Sequence, residues 1–325
     1  MRQRIFRTAA GAVFTAVVAA TASAAGIDPA LLALAAPDSK TLAGVQVAQA
    51  QATPIGQALM RQFQLDPATN RALAAAGFDP RRDLREVLFS ANAYKGANGL
   101  GGLVLAGRGS FHPEKISSAA AAAAGAVSSA YRGITLMEAK SAGPGGASGA
   151  LAFLDSSTML AGDTVSVKAA IDRRAAHAAF SGALADSARQ IAAANDVWLV
   201  TQAPPASASA ALAPQLGPFG NILQAAVQLS AGLKLTADRV TLSADLLMRS
   251  PQDAQSMADV LKFAIQMAQA NAAQGQKGPV DPAIADGAQI TATGANMHLV
   301  VAVPEKQLEQ LFLQSSNAPK KLAAR

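Results

Sequence analysis

Short runs in which apolar and polar residues alternate recur along this chain, joined in pairs by turns and followed by helices with a proline or an acidic cap. Gly149 to Leu154 with Thr158 to Ala161, Gly232 to Thr236 with Arg239 to Met248, and Ala288 to Thr293 with Met297 to Val303 each read as a pair of strands. Alternation of period two buries one face of a strand, and paired runs across a short turn form hairpins. Ala43 to Ala50, Gly101 to Gly107, Tyr131 to Glu138 and Val197 to Ala203 read as further strands, and Gly143 to Gly146 as a turn. Helices are expected after Pro54, from Asp79-Pro80 through RRDLREVL, from Pro113 to about Val127, from Thr164, over Pro218 to Leu229, from Pro251 and from Pro304. Proline is tolerated in the first helical turn because its missing N–H has no partner there, and Ser or Asp before it caps the helix. The pattern predicts an α+β fold with mainly antiparallel sheet.

The order of elements repeats. Val45 and Trp198 sit in matching strands 153 residues apart, the helix openings at Pro113 and Pro251 are 138 apart, and those at Thr164 and Pro304 are 140 apart. Two similar units in tandem are therefore expected, each a mainly antiparallel sheet with helices packed on one face. The expected boundaries are a leader over 1–24, an N-terminal segment over 25–42, a first unit over 43–180, a second over 181–316 and a basic tail over 317–325. The segments 204–214 and 274–282 read as loops, and the tail as disordered.

The leader has three parts. MRQRIFR is cationic, Thr8 to Ala20 is apolar and uncharged, and Ala22-Ser23-Ala24 is a small-x-small box, so cleavage is expected between Ala24 and Ala25. The mature chain is then expected outside the cytoplasm, in the periplasm or secreted. It contains no cysteine, which excludes disulfides, lipidation at a cysteine and thiol chemistry. No later stretch is apolar over the roughly 20 residues that a spanning helix needs. Hydrophobic residues make up 51% but aromatics only 4%, so the core must be built from Ala, Leu and Val. Of the net charge of +6, Arg2, Arg4 and Arg7 lie in the leader, and Lys320, Lys321 and Arg325 lie in the last six residues. A body this close to neutral lacks the basic face that phosphate neutralisation requires, so nucleic acid is not expected as a partner.

No arrangement of residues declares a catalytic, metal or cofactor site. His112, His177 and His298 are too far apart in sequence to form a ligand pair at helical spacing. Gly146-Ala147-Ser148-Gly149-Ala150 lacks the second glycine of a nucleophile elbow, and no serine lies three residues before a lysine. Gly99 to Gly102 precedes a strand instead of a helix, and therefore reads as a turn. Asp79, Asp83 and Glu86 alternate with Arg81, Arg82 and Arg85 and read as a solvated helix face. Trp198 lies within an apolar strand and reads as core; a sugar-stacking platform is the alternative.

The run ALAFLDSSTMLAGDTVSVKAAIDRR over 150–174, with Asp79-Pro80, Asp83-Leu84 and Tyr131-Arg132-Gly133-Ile134, resembles uncharacterised exported bacterial proteins built of tandem α+β units. The likeness covers most of Val45 to Arg174 and the second half loosely. It implies the fold and export, and carries no assigned activity. The expected role is binding or interaction in the cell envelope, with an apolar small molecule, a lipid or a peptide as partner. A hydrolase whose groups converge from distant segments, and a structural or assembly component, stand as alternatives.

Overall fold

A computed structural model of the chain describes residues 26–62, 67–94, 100–124, 126–139, 149–202, 225–274, 282–304 and 307. Ala24 and Ala25, the turn at 143–146, the loop at 204–214, most of the last expected helix and the tail lie outside the described residues. The first half contains α1 (Pro29–Leu32), β1 (Thr41–Gln46), α2 (Val47–Gln51), α3 (Pro54–Gln62), α4 (Pro67–Ala75), α5 (Pro80–Asp83) and β2 (Leu84–Ala91). A minor pair, β3 (Ala93–Tyr94) and β4 (Leu100–Gly101), precedes β5 (Val104–Gly109), α6 (Pro113–Ala124), β6 (Val127–Tyr131), β7 (Ile134–Ala139), β8 (Gly149–Asp155), β9 (Thr158–Asp163) and α7 (Thr164–Ala175). The second half contains α8 (Ala183–Ala194), β10 (Val197–Gln202), β11 (Ala226–Leu235), β12 (Arg239–Met248), α9 (Pro251–Ala273), α10 (Pro282–Asp286), β13 (Ala288–Thr293) and β14 (Asn296–Pro304).

Twelve of these strands form one antiparallel sheet in the order β13-β14-β12-β11-β10-β1-β2-β5-β9-β8-β7-β6. The α+β class and antiparallel pairing agree with the sequence reading, whereas two separate sheets do not. β1 pairs with both β2 and β10, with Val45 opposite Val197, so the hydrogen-bond ladder runs unbroken from one half to the other. The strand that opens each half is the one that meets its counterpart at the centre.

Helices also cover both faces of the sheet, not one. Along β8, Ala150, Ala152 and Leu154 pack with Val167, Ala170 and Ile171 of α7, while Leu151 and Phe153 pack with Ile116 and Ala119 of α6. Successive strand side chains point to opposite faces, so α7 and α6 are on opposite sides. The first face carries α1, α7 and α8 over Leu42, Leu88, Ala106, Leu160, Trp198 and Val200. The second face carries α6 at one end, α9 over Leu246, Met248 and Met297 at the other, and α2 with α3 against Leu235 and Val240. Buried alanines such as Ala106, Ala152, Ala170, Ala185 and Ala188 let these layers approach closely, as the scarcity of aromatics predicts.

Several local readings differ from the structure. RRDLREVL is not a helix beyond Asp83: from Leu84 the chain is β2, paired with β1 and β5 in the middle of the sheet. Leu84, Val87 and Leu88 fit helical spacing, but Val87-Leu88-Phe89 is equally a strand, and two flanking partners decide for the strand. Val47 to Gln51 forms α2, whereas alternation suggested continued strand. Residues 226–229 of the expected Pro218–Leu229 helix belong to β11, and Val127 opens β6 after α6 has ended at Ala124. Phe89, Ala43, Leu199, Ala231 and Ala244 lie in register across five strands on the second face, so a strand in the place of that helix extends an apolar row.

Capping follows the sequence more closely. Asp163 accepts a hydrogen bond from the Ser166 N–H, Ser250 from that of Asp253, Asp79 from that of Arg81 and Asp28 from that of Ala30. At the β8–β9 turn, burial alone would raise the pKa of Asp155. Hydrogen bonds from the Ser157 hydroxyl and N–H, with that from Arg174, outweigh burial and hold the carboxyl down at about 2. A depressed carboxyl stabilises the fold above its ordinary pKa, and this contribution is lost as pH falls from about 4 to about 2. Asp155→Asn keeps an acceptor for Ser157 and loses the charge facing Arg174. After discounting for the exposure of this pair, it is expected to cost about 1 kcal/mol at pH 7. The difference from the parent should shrink towards pH 2 in acid denaturation followed by circular dichroism.

Candidate functional site

A cavity opens on the second face, between α6 and the strands β6, β7 and β8 at the end of the sheet. Its volume is about 590 Å³, within the usual range of roughly 300–1,000 Å³ for small-molecule sites. The floor is apolar and includes Met137 from β7 and Phe153 from β8, while Glu114, Ser117, Ser128 and Thr135 supply a carboxylate and hydroxyls. Met137 is only 5% exposed, so it closes the bottom of the cleft.

Each wall has a local cause. Helix α6 begins at Pro113, and its alanine tract favours helix. Ile116 and Ala119 press it against Phe111, Phe153 and Met159, with Phe111 stacked obliquely between Phe78 and Phe153 at centroid distances of 5.8 and 5.5 Å. The opposite wall is the β6–β7 hairpin, whose two turn residues, Arg132 and Gly133, both have positive φ, at 49° and 77°. Two such residues match the twist of a two-residue hairpin, and Gly133 carries no Cβ to strain there.

The hairpin is held from behind by α7, on the first face. The Tyr131 hydroxyl donates to both carboxylate oxygens of Asp172, at 2.9 and 3.1 Å, and Arg132 pairs with the same carboxylate. Lys168 bonds Glu138 at 2.8 Å and lies 5.8 Å from the centre of the Tyr131 ring. The bond from Lys168, aided by one from Ser129, lowers the pKa of Glu138. The motif at 131–134, read in sequence only as part of a strand, is thus the turn that fixes one wall of the cleft. Asp172→Ala removes the acceptor for Tyr131 and Arg132 together. It should speed amide exchange in β6 and β7 by about tenfold, measured by hydrogen exchange, with little change in β11 and β12.

The residues that sequence reasoning weighed for chemistry do not converge. His112 and His177 are exposed, the latter just past the end of α7 at φ 50°. His112 borders a separate small cavity of about 70 Å³ with Arg82 and Asp83. His298 on β14 meets Asp245 on β12 at 2.6 Å on the first face, with both side chains nearly half exposed. Among the described residues, no group of three His, Cys, Asp or Glu side chains is placed to hold a metal ion. Trp198 is 2% exposed and belongs to the core, which excludes it as an exposed stacking platform.

The acids at 79–86 separate. Asp79 caps α5 and Asp83 pairs with Arg82, whose hydrogen bond lowers the Asp83 pKa. Glu86 lies on β2, half-buried, and accepts the Asp28 N–H beside the Asp28–Arg108 ion pair. Burial raises its pKa. The solvated-helix reading therefore fails for Glu86. Asp28, Glu86 and Arg108 are separated by 58 and 80 residues in the contacts they make, so no local spacing could have shown them.

No family model matches the chain, and no curated protein matches it in sequence. Among solved structures it is similar in fold to TP0453. Crystal form III of that protein superposes with a TM-score of 0.53 at 10% identity, over 89% of this chain and 99% of that one. Form IV gives 0.51 at 11% identity, over 89% and 97%, and form I gives 0.50 at 10%, over 89% and 98%. At this identity the likeness concerns fold alone.

Proposed function

We propose that the chain is exported, loses its leader between Ala24 and Ala25, and serves in the cell envelope as a non-enzymatic binding protein. Its ligand is a small molecule with an apolar body and a polar end, seated between α6 and β6–β8. The carrying observation is the cleft itself, with its floor of Met137 and Phe153 and its hydroxyl groups from Ser117, Ser128 and Thr135. An apolar surface supplies affinity and a few placed polar groups supply orientation. The cationic, apolar and small-residue parts of residues 1–24 support export, and among the described residues no helix is long and apolar enough to cross a membrane.

The same reading includes descent of the two halves from one unit. Outward from the centre, β1, β2 and β5 are followed by β9 and β8, and β10, β11 and β12 by β14 and β13. In both halves a proline-opened helix, α6 or α9, follows the third strand. The hairpin β6–β7, which forms the cleft wall, has no counterpart in the second half among the described residues.

Titration with an anilinonaphthalene sulfonate probe, followed by displacement with lipids, peptides and glycans, tests the binding role. Ser118 lines the cleft and is exposed, so Ser118→Trp should fill the cleft and weaken the probe by at least tenfold without lowering the melting temperature. Equal binding by the parent and this variant would remove the cleft from the proposal. Absence of any ligand in all three classes would count against binding as the role.

A further inference from the structure

We propose that the cleft takes a short extended peptide, which adds to the sheet as an antiparallel strand beside β6 and places an apolar and a basic side chain under α6. The inference rests on the cleft reading above and names the ligand class: the peptide's side chains supply the apolar body and the polar end. β6 is the terminal strand of the twelve, and among the described residues it pairs with β7 alone. Tyr131 and Ile134 flank the two-residue turn, so they exchange both backbone hydrogen bonds, as do Ser129 with Leu136 and Val127 with Glu138. Ser128 and Ala130 lie between them, and their N–H and C=O groups point away from β7 to the open edge.

An exposed edge is usually blunted by lysine, proline or a bulge. The sequence Val-Ser-Ser-Ala-Tyr has no charge and no proline, and its register with β7 is regular throughout. On the first face the Ser129 hydroxyl donates to Glu138 and that of Tyr131 to Asp172, so the strand is fixed while Ser128 and Ala130 stay exposed. The opposite edge, β13, is also uncharged, but its Ile290 and Ala292 pack under α9. At β6 the second face opens into the cleft instead.

Ser128 and Met137 stand opposite one another on that face, and both line the cleft. Directly opposed side chains of an antiparallel pair share a face, so peptide residues opposite Ser128 and Ala130 both turn towards the cleft. The one opposite Ser128 extends the row from Met137 over the apolar floor. The one opposite Ala130 lies nearer Glu114, the charged residue of the lining. The Phe111 N–H bonds the Ser156 carbonyl in the β8–β9 turn at 2.9 Å, and Leu136 stands opposite Ala152. The start of α6 and the β6–β7 turn are therefore at the same end of the sheet. A lysine opposite Ala130, followed two positions later by a leucine opposite Ser128, fits this arrangement.

The test titrates the protein with acetyl-Thr-Lys-Thr-Leu-Thr-amide by calorimetry. In an antiparallel addition the Lys and Leu amides donate to β6 and the middle Thr amide points away. N-methylation at Lys or at Leu should weaken binding at least about tenfold, and N-methylation at the middle Thr less than about twofold. These comparisons use the unaltered protein. Ala130→Pro removes an outward N–H and no bond to β7, a place where an edge strand accepts proline. It should weaken the peptide at least about tenfold more than it weakens the anilinonaphthalene sulfonate probe. Glu114→Gln should weaken this peptide about threefold more than its counterpart with Gln in place of Lys. Equal effects of N-methylation at all three positions, or no peptide binding where the probe binds and Ser118→Trp blocks it, would overturn strand addition and leave the cleft reading standing. A dimer lost in Ala130→Pro, without peptide binding, would assign the edge to a second copy and likewise overturn the proposal.

Discussion

Trp198→Ala is expected to destabilise the protein by about 3–5 kcal/mol, the usual cost of deleting a large buried aromatic side chain. The residue lies on the first face of β10, 2% exposed, in the same cluster as Leu42, Leu88, Ile191 and Ala192. Its indole lies across the strand boundary onto Gly44 of β1, and a Cβ built on Gly44 would come within 2.4 Å of the ring. The central seam of the sheet therefore works as a ring laid over a missing side chain. Gly44→Ala should cost about 1–3 kcal/mol through overpacking, although alanine has the higher strand propensity. The pair should be non-additive: with Trp198→Leu in place the ring is gone, and the added methyl group of Gly44→Ala has room. Urea denaturation followed by circular dichroism gives the four stabilities of the cycle, and an interaction energy of at least about 1 kcal/mol in that direction is expected. Strict additivity would show that the indole does not require the glycine.

How far the sequence discloses this architecture depends on the distance over which each signal acts. The hairpins β8–β9, β11–β12 and β13–β14 are legible because alternation and turn residues lie within about 20 residues, and the caps Asp163 and Ser250 because an acceptor and its N–H are three positions apart. β2 has the sequence signature of a helix because Leu84, Val87 and Leu88 satisfy both periods, and only the pairing with β1 and β5 resolves the ambiguity. The joining of two expected sheets into one rests on contacts such as Thr41 to Thr201, 160 residues apart, for which no single-sequence signal exists. The cleft was equally hidden. Its floor is Phe153 and Met137, which pattern assigns to core, and its wall depends on Asp172 reaching Tyr131 across 41 residues. Sequence motifs mark reactive groups, whereas this cleft is defined by shape.

The centre of the sheet also predicts the second large effect, at Asp196. This residue opens β10 where three strands meet. Its carbonyl accepts from the Gln46 N–H of β1 at 2.7 Å, its N–H donates to the Leu233 carbonyl of β11 at 2.8 Å, and its side chain, 4% exposed, turns back onto β11. There Oδ2 accepts the Leu235 N–H and Oδ1 accepts Lys234 Nζ, each at 2.8 Å. Asp196→Ala leaves the buried Leu235 N–H without its acceptor and Lys234 without its counter-charge. Lys234 is 41% exposed and can turn to water, so the cost falls below that of breaking a fully buried pair. The expected loss is about 2–3 kcal/mol. Asp196→Asn retains an oxygen for Leu235 and should lose less than Asp196→Ala. Lys234→Met should cost more in the parent than in the Asp196→Ala background, because only in the parent does it strand a buried carboxylate. These orders are measurable by urea denaturation at pH 7, and the Leu235 amide should exchange faster in Asp196→Ala than in Asp196→Asn. If alanine and asparagine were equivalent at 196, the Leu235 hydrogen bond would carry none of the stability assigned to it, and the start of the β10–β11 pairing would rest on backbone hydrogen bonds alone.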